Sequence, residues 1–564
     1  MSLHGPSPIL RLHSHDTPAD TATRMCRFSP PSCRHRHTHV QVLTSLPEHL
    51  ALTLLRQPPS LLHVLNAVPA PFHPLVFRAH LPAIDTHATL AVHTDMPLLC
   101  CRAARAAAAV FTHITRVSFS LTMPPTKTVR FDEETLRLLT TLPCLSVLEL
   151  QRFRVSVVQS RGIEHTIGVW FPKLPALQRL SLRGAVASLE PLAHHVPALG
   201  PRLTALDLSA NPLSDASFRA LSHHIGCLTA LRELSLAQTR LDEKAWVLIA
   251  PKLPPLATLD ISDAYIDRVS CLVSCDGALN APQFWARMES LDLGFGHLSE
   301  GLEQFATLLA CMPALRRLSL AHALPGAPTS AERMLRDLSV LPSLDTLDVS
   351  AASMRLVASD AFAACMRACA PTLQELRVRS ANGVASTARA AMRALCRIPL
   401  PSLAHLDLAY SDLRDEGVAA LASGFAAIPA LTMLELQQVR ATAEGVAALA
   451  EHLAVLQRLE VLHMHGNAVL GDGLVAVVEA AGGLPRLLRL GMRSVCGPRG
   501  AHVAVAEGSP DSCAAEPEGL VQLPRPVSMK GHFTLELLAA DFSKAARVGI
   551  EDAAALAGVV VALA

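Results

Sequence analysis

A chain of 564 residues has room for several ordinary domains or for one long repeat array. With 50% apolar but only 4% aromatic and 17% charged residues, it suits many thin layers of Leu, Ala and Val rather than one aromatic-centred core. A formal net charge of +1 supplies no concentrated basic excess, so neither nucleic acid nor a membrane surface is expected as a partner. The 14 cysteines are scattered, several where a small apolar side chain would be buried, and reduced thiols are expected. No stretch reaches the roughly 18 apolar residues of a spanning helix. Residues 1–16 lack the unbroken apolar core of a secretory signal, so a cytoplasmic location is expected, with nuclear or cytoskeletal ones left open.

In chain order, residues 1–40 are rich in His, Ser, Pro and Arg without apolar periodicity and are expected to be a disordered leader. Cys26, Cys33, His35, His37 and His39 have zinc-ligand types, but at no zinc-module spacing and in a biased stretch, so no metal or cofactor is expected. Residues 41–110 carry two runs, Leu43 to Leu65 and Cys100 to Val110, that read as short helices interrupted by Pro. They predict a helical cap for the first layer of a repeat stack. Leu46-Pro47, Leu50, Leu54-Leu55 and Cys101-Arg102 in this segment also resemble a degenerate F-box, although Pro69 to Pro97 is longer and richer in Pro and His than that motif. That resemblance implies the substrate receptor of a ubiquitin ligase.

From 111 to 496 the pattern LxxLxL recurs about 14 times, as in Leu145-Leu148-Leu150, Leu231-Leu234-Leu236, Leu315-Leu318-Leu320 and Leu431-Leu434-Leu436. From Leu148 to Leu490 the mean spacing over 12 intervals is 28.5 residues. In LxL the two apolar side chains point inward with a period of two, so each motif predicts a short strand. A helix of Ala and Leu follows, and the heptapeptide EGVAALA, at Glu416 to Ala422 and again at Glu444 to Ala450, predicts two of these helices. Turns such as Leu174-Pro175, Met312-Pro313, Leu400-Pro401 and Ile428-Pro429 open new repeats, because Pro ends a helix and is excluded from a central ladder. Helices are wider than the strand spacing, so stacking predicts an α/β horseshoe solenoid, parallel strands on the concave face and helices on the convex one.

These motifs resemble the ribonuclease-inhibitor-like class of leucine-rich repeats, which implies a protein-binding scaffold without naming its partner. That class favours Asn or Cys three residues after the second strand apolar. Asn211 and Asn467 fit, but Ala185, Thr239, Ala264, Gly296, Ala323, Ala352, Ala381, Ser411 and Val439 stand there elsewhere, predicting looser middle repeats. Residues 497–531, with five Pro and no LxxLxL, are expected to be a disordered insertion, and 532–564 a further repeat with a capping helix.

The middle residue of each strand should form a row along the concave sheet: Ser118, Glu149, Ser181, Asp207, Ser235, Asp260, Asp292, Ser319, Asp348, Arg377, Asp407, Glu435, His463 and Gly491. Arg179, Arg183, Arg379, Arg489 and Arg493 flank it, so an acidic centre between basic ends would suit a basic protein surface. The plainer alternative is that Asp in LDLS is a solvated consensus residue of an exposed strand. Only Asp260/Asp292 and Asp407/Glu435 would be acidic neighbours, costing roughly 1–3 kcal/mol at about 5 Å. The candidate protein-binding residues are Glu149, Asp207, Asp260, Asp292, Asp348, Arg377, Arg379, Asp407, Glu435 and His463. No GxxxxGK[ST], HExxH or GxSxG motif occurs, and a non-enzymatic, monomeric scaffold is expected. Repeats of this class also form the Ran GTPase-activating family, but its acidic tail is missing here and no Arg can be assigned a catalytic role.

Overall fold

The computed structural model describes residues 9–13, 89–94, 115–121, 142–151, 173–273 and 284–492 except positions 187, 297, 299, 342, 470 and 471, together with 534–537 and 560–563. These belong to two units, Met1–Ala264 and Tyr265–Ala564. In the first unit the strands β1 (Ile9–His13), β2 (Thr89–Thr94), β3 (Arg116–Leu121), β4 (Val147–Gln151), β5 (Arg179–Ser181), β6 (Ala205–Asp207), β7 (Glu233–Ser235) and β8 (Thr258–Asp260) each pair in parallel with the next. In the second, parallel pairing runs through β9 (Ser290–Asp292), β10 (Arg317–Ser319), β11 (Thr346–Asp348), β12 (Glu375–Arg377), β13 (His405–Asp407), β14 (Met433–Glu435), β15 (Val461–His463), β16 (Arg489–Gly491), β17 (Thr534–Leu537) and β18 (Val560–Leu563). The strands β3 to β16 are the fourteen motifs of the sequence, and each unit has the strand-and-helix architecture of a leucine-rich-repeat solenoid.

The register has no stagger. In the second unit Leu291, Leu318, Leu347, Leu376, Leu406, Leu434, Leu462 and Leu490 stand side by side, each at most 1% exposed. One leucine buried in this way contributes roughly 1.5–3 kcal/mol, and it does so only when the neighbouring repeat covers it. The Pro turns do what their position requires. Leu177, Leu315, Leu403 and Leu431 each donate a backbone N–H to the carbonyl three residues back, at Leu174, Met312, Leu400 and Ile428.

Two strands correct the sequence reading. β1 lies in the segment expected to be a disordered leader, and β2 in the one expected to be a helical cap. Leu10/Leu12 and Leu90/Val92 alternate with the strand period and align with Val117/Phe119, but neither pair has a leucine three residues before it. A strand needs only the two inward apolar residues, so a search for the full LxxLxL passes over both. β2 places a repeat strand inside the F-box-like segment. β17 and β18 fall where a further repeat was expected. The remaining leader and cap, the 497–531 insertion, the rest of the 532–564 segment and the Cys26 to His39 run lie outside the described residues.

Both EGVAALA copies are helical, within Arg414–Ala422 and Ala443–Leu453. The glycine in the second copy is required by a close approach. A Cβ on Gly445 would lie 2.4 Å from Asp415 Oδ1, whose carboxylate reaches over from the preceding helix to accept the N–H groups of Thr442 (2.7 Å) and Gly445 (3.1 Å). One repeat therefore caps the next repeat's helix.

The middle repeats are not looser. At the place of the missing Asn, Ala323, Ala352, Ala381 and Val439 are at most 4% exposed, and the N–H of Ala323 and of Ala352 turns back to the carbonyl three residues earlier at 3.0 and 3.1 Å. Ser411 takes over part of the asparagine's work, accepting from Ala381 N–H (3.1 Å) and donating to Val378 O (2.7 Å). A small side chain packs in the space and the turn bonds to itself, so burial does not require the polar ladder.

Candidate functional site

Alternation sends the residues on either side of each inward leucine to the helix-free face, and the register lines them into rows. In the first unit the middle row is Ser118, Glu149, Ser181, Asp207, Ser235, Asp260. In the second it is Asp292, Ser319, Asp348, Arg377, Asp407, Glu435, His463, Gly491.

Five of the acids have a structural task. Oδ1 of Asp207, Asp260, Asp292, Asp348 and Asp407 accepts the N–H two residues on, at Ser209 (2.9 Å), Ser262 (3.1 Å), Gly294 (2.8 Å), Ser350 (2.8 Å) and Ala409 (3.0 Å). The residue after each of those, Ala210, Asp263, Phe295, Ala351 or Tyr410, is left-handed, with φ between 56° and 64°. Asp thus holds the tight turn by which the chain leaves the strand, a bond its short carboxylate can make locally. Asp207 and Asp260 also accept from Ser181 (2.7 Å) and Ser235 (2.9 Å) on the preceding strand.

Several of the remaining charges on this face are paired with one another. In the first unit Arg116 Nη2 meets Glu149 Oε1 at 2.6 Å. Arg179 reaches across β6 to hold both oxygens of Glu233 at 2.9 and 2.5 Å, bordering a hollow of about 270 Å³.

The second unit has the denser network, on β12 to β15. Glu375 Oε1 receives Arg377 Nη2 at 2.6 Å and His405 Nδ1 at 2.9 Å, while His405 Nε2 is buried without a hydrogen-bond partner. Burial works against the charge of Arg377, but Glu375, then Asp348 and Asp407, outweigh it and hold the guanidinium above its ordinary value. Arg379 Nε lies 3.5 Å from Asp407 Oδ2, and its guanidinium sits 5.5 Å from the centre of the Tyr410 ring. Glu435 is hydrogen-bonded by Gln437 and lies 3.4 Å from His463 Nδ1, and the His463 ring lies 5.2 Å from that of His465.

The two neighbouring carboxylates divide the cost of their proximity. Burial raises the pKa of Asp407, which is 6% exposed, and the adjacent Glu435 raises it further, against the pull of Ala409 N–H and Arg379. Burial also pushes Glu435 up, but His463 and Gln437 outweigh it and leave this carboxyl below its usual range.

Each candidate residue therefore lies on the expected face: Glu149, Asp207 and Asp260 in the first unit, and Asp292, Asp348, Arg377, Arg379, Asp407, Glu435 and His463 in the second. Arg493 lies outside the described residues. Sequence reasoning missed Arg116, Glu233, Glu375 and His405, which stand two residues before a middle-row residue and share its face by the period of two. Among the thiols, the hydrogen bond to Cys369 and burial push Cys365 up, the same bond lowers Cys369, and burial takes Cys396 to about 11. Among the described residues no group of His, Cys, Asp or Glu is arranged to hold a metal ion, and no helix is long and apolar enough to cross a membrane.

The family described as "Leucine Rich repeat" matches residues 400–422, which span the turn, β13 and the helix after it. No curated protein matches the sequence. Among solved structures, an internalin (inlF) from Listeria monocytogenes aligns over 68% of this chain and 93% of its own at 14% identity, with a TM-score of 0.34. A TLR13–ssRNA13 complex aligns over 88% of this chain and 63% of its own, also at 14% identity, with a TM-score of 0.32. Residues 400–422 are a leucine-rich repeat, one of a series whose strand-and-helix unit recurs in both parts of the chain.

Proposed function

We propose that the protein is a non-enzymatic scaffold that holds a partner protein on the helix-free strand face, with the β12–β15 network of the second unit as its main contact. The observation that carries this reading is the placement of Arg377, Glu435 and His463. They stand on a rigid ladder, project from the face opposite the helices, and are not used by the turn that consumes the neighbouring aspartates. Fixed, partly desolvated charges of this kind select a partner by complementarity more than by area. Because acids and bases are interspersed, the matching surface is one of mixed charge rather than a uniformly basic one. The 28-residue spacing of strand and helix supports the ribonuclease-inhibitor-like class, and the free thiols of the described cysteines fit a cytoplasmic location.

The test compares proteins co-purified from cells with the full chain, with R377S/E435S/H463S, and with a control, R389S/R393S, altered on the exposed side of the helix Ala385–Cys396. Proteins lost from the strand-face variant and kept by the control support the reading. Equal recovery by all three, with unchanged circular dichroism, overturns it.

A further inference from the structure

The chain has only two tyrosines, and both are exposed in the second unit, Tyr265 at 56% and Tyr410 at 49%. Phe295, at 51%, holds the same left-handed place in its repeat as Tyr410, with φ of 56° against 63°. Gly184 and Gly466 serve that place elsewhere, so the turn itself does not ask for a ring. Among the described residues the largest aromatic side chains are otherwise buried, so exposed rings on one edge of a sheet mark a surface kept for contact.

Tyr410 shows what such a ring accepts. Arg379 lies over it at 5.5 Å, and the Asp407 carboxylate lies 3.5 Å from the same guanidinium. The other aromatic group has the ring and the carboxylate, and among the described residues no arginine or lysine lines it. Phe295 stacks on His322 with centroids 4.3 Å apart and planes 13° from parallel. Tyr265 and His322 border an open depression of about 480 Å³, walled by Leu298, Leu324 and Pro325, with Asp267 at its rim. Asp267 is exposed and has no ion-pair partner among the described residues.

We infer that this depression is the docking point for an arginine side chain of a partner protein. Its guanidinium lies over the Tyr265 ring and pairs with Asp267, as Arg379 does with Tyr410 and Asp407. Its methylene stem runs along Leu298, Leu324 and Pro325. Arginine rather than lysine is specified because a planar, weakly hydrated cation stacks on a ring while keeping its in-plane donors for a carboxylate. This surface is separate from the β12–β15 network and does not depend on that reading.

The two tyrosines make the test direct. The full chain labelled with 3-fluorotyrosine gives two fluorine resonances, assigned with Y410F. Titration with the peptide acetyl-Gly-Arg-Gly-amide should shift the Tyr265 resonance saturably in the millimolar range and leave Tyr410, whose ring already carries Arg379, in place. The citrulline counterpart, equal in shape but uncharged, should have no effect. D267N should weaken the arginine peptide about fivefold, the worth of an exposed ion pair, without changing the melting temperature. The inference is overturned if the Tyr265 resonance does not saturate, if citrulline or the leucine peptide acetyl-Gly-Leu-Gly-amide shifts it equally, or if D267N binds as well as the parent.

Discussion

Asn467, 1% exposed, ties three stretches of backbone together. Its Oδ1 accepts the N–H groups of Val439 (3.0 Å) and Ala441 (3.2 Å), and its Nδ2 donates to the carbonyls of Leu436 (2.7 Å) and Met464 (2.9 Å). Asn467→Ala removes four buried hydrogen bonds at about 1 kcal/mol each, and strands two N–H donors that water cannot reach, so the expected loss is about 3–5 kcal/mol. Asn467→Ser imitates Ser411, which makes two such bonds in its own repeat, and should lose roughly half as much. Urea unfolding followed by circular dichroism gives the totals. Hydrogen exchange at Val439 and Ala441 shows whether the loss is local, as nearest-neighbour stability in a repeat stack requires. A loss below about 1 kcal/mol for N467A, or an equal loss for both variants, would refute the assignment of these bonds as a structural tie.

Two further changes test the packing and the electrostatics. Gly445→Ala puts a methyl group against Asp415 where the helices of successive repeats meet, and should cost about 1–3 kcal/mol in thermal or urea unfolding, with Gly445→Ser no better. Asp407 has a raised pKa, so the folded state holds its proton more firmly than the unfolded one. Its contribution is most favourable below the ordinary aspartate range and is lost as pH rises through the raised value. Asp407→Asn keeps an acceptor for Ala409 N–H and removes the buried charge. Relative to the parent it should gain stability between acidic and neutral pH, read as the difference in melting temperature across that range, and a constant difference would contradict the burial argument.

The fold was legible because its signal is redundant. Leu318 or Leu434 alone says little, but the same residue type returning at the same interval can be satisfied only by stacking, and stacking fixes the register and the face of every side chain between. β1 and β2 escaped because Leu10/Leu12 and Leu90/Val92 retain the strand period without the leucine that precedes it. The site was legible as a face but not as a set of partners. The acids of LDLS can be placed from alternation, whereas the bonds from Oδ1 of Asp207 or Asp348 to the turn depend on a backbone conformation that a side-chain pattern does not encode. A reading confined to the middle row also misses how the bases are paired. Glu233 and Glu375 sit two residues away from the middle row, and it is they that neutralise Arg179 and Arg377.

A repeat protein spends most of its conspicuous residues on being a repeat. Leu fills the layers, Asp holds the turn, Gly445 admits the neighbouring cap, and any of these can be mistaken for function because each recurs. What binding requires is the opposite, a residue that departs from its equivalents without helping the stack. Arg377 stands where Asp stands in the strands on either side, Asp348 and Asp407, and His463 follows Glu435 in a row made mostly of Asp and Ser. Phe295 and Tyr410 put rings where Gly184, Ala210, Ala351 and Gly466 stand in other repeats, and Tyr265 exposes a third ring two residues after that place in its own. The fold gives no reason for these exceptions, which places the search for partners on two edges of the second unit rather than along the whole acidic row.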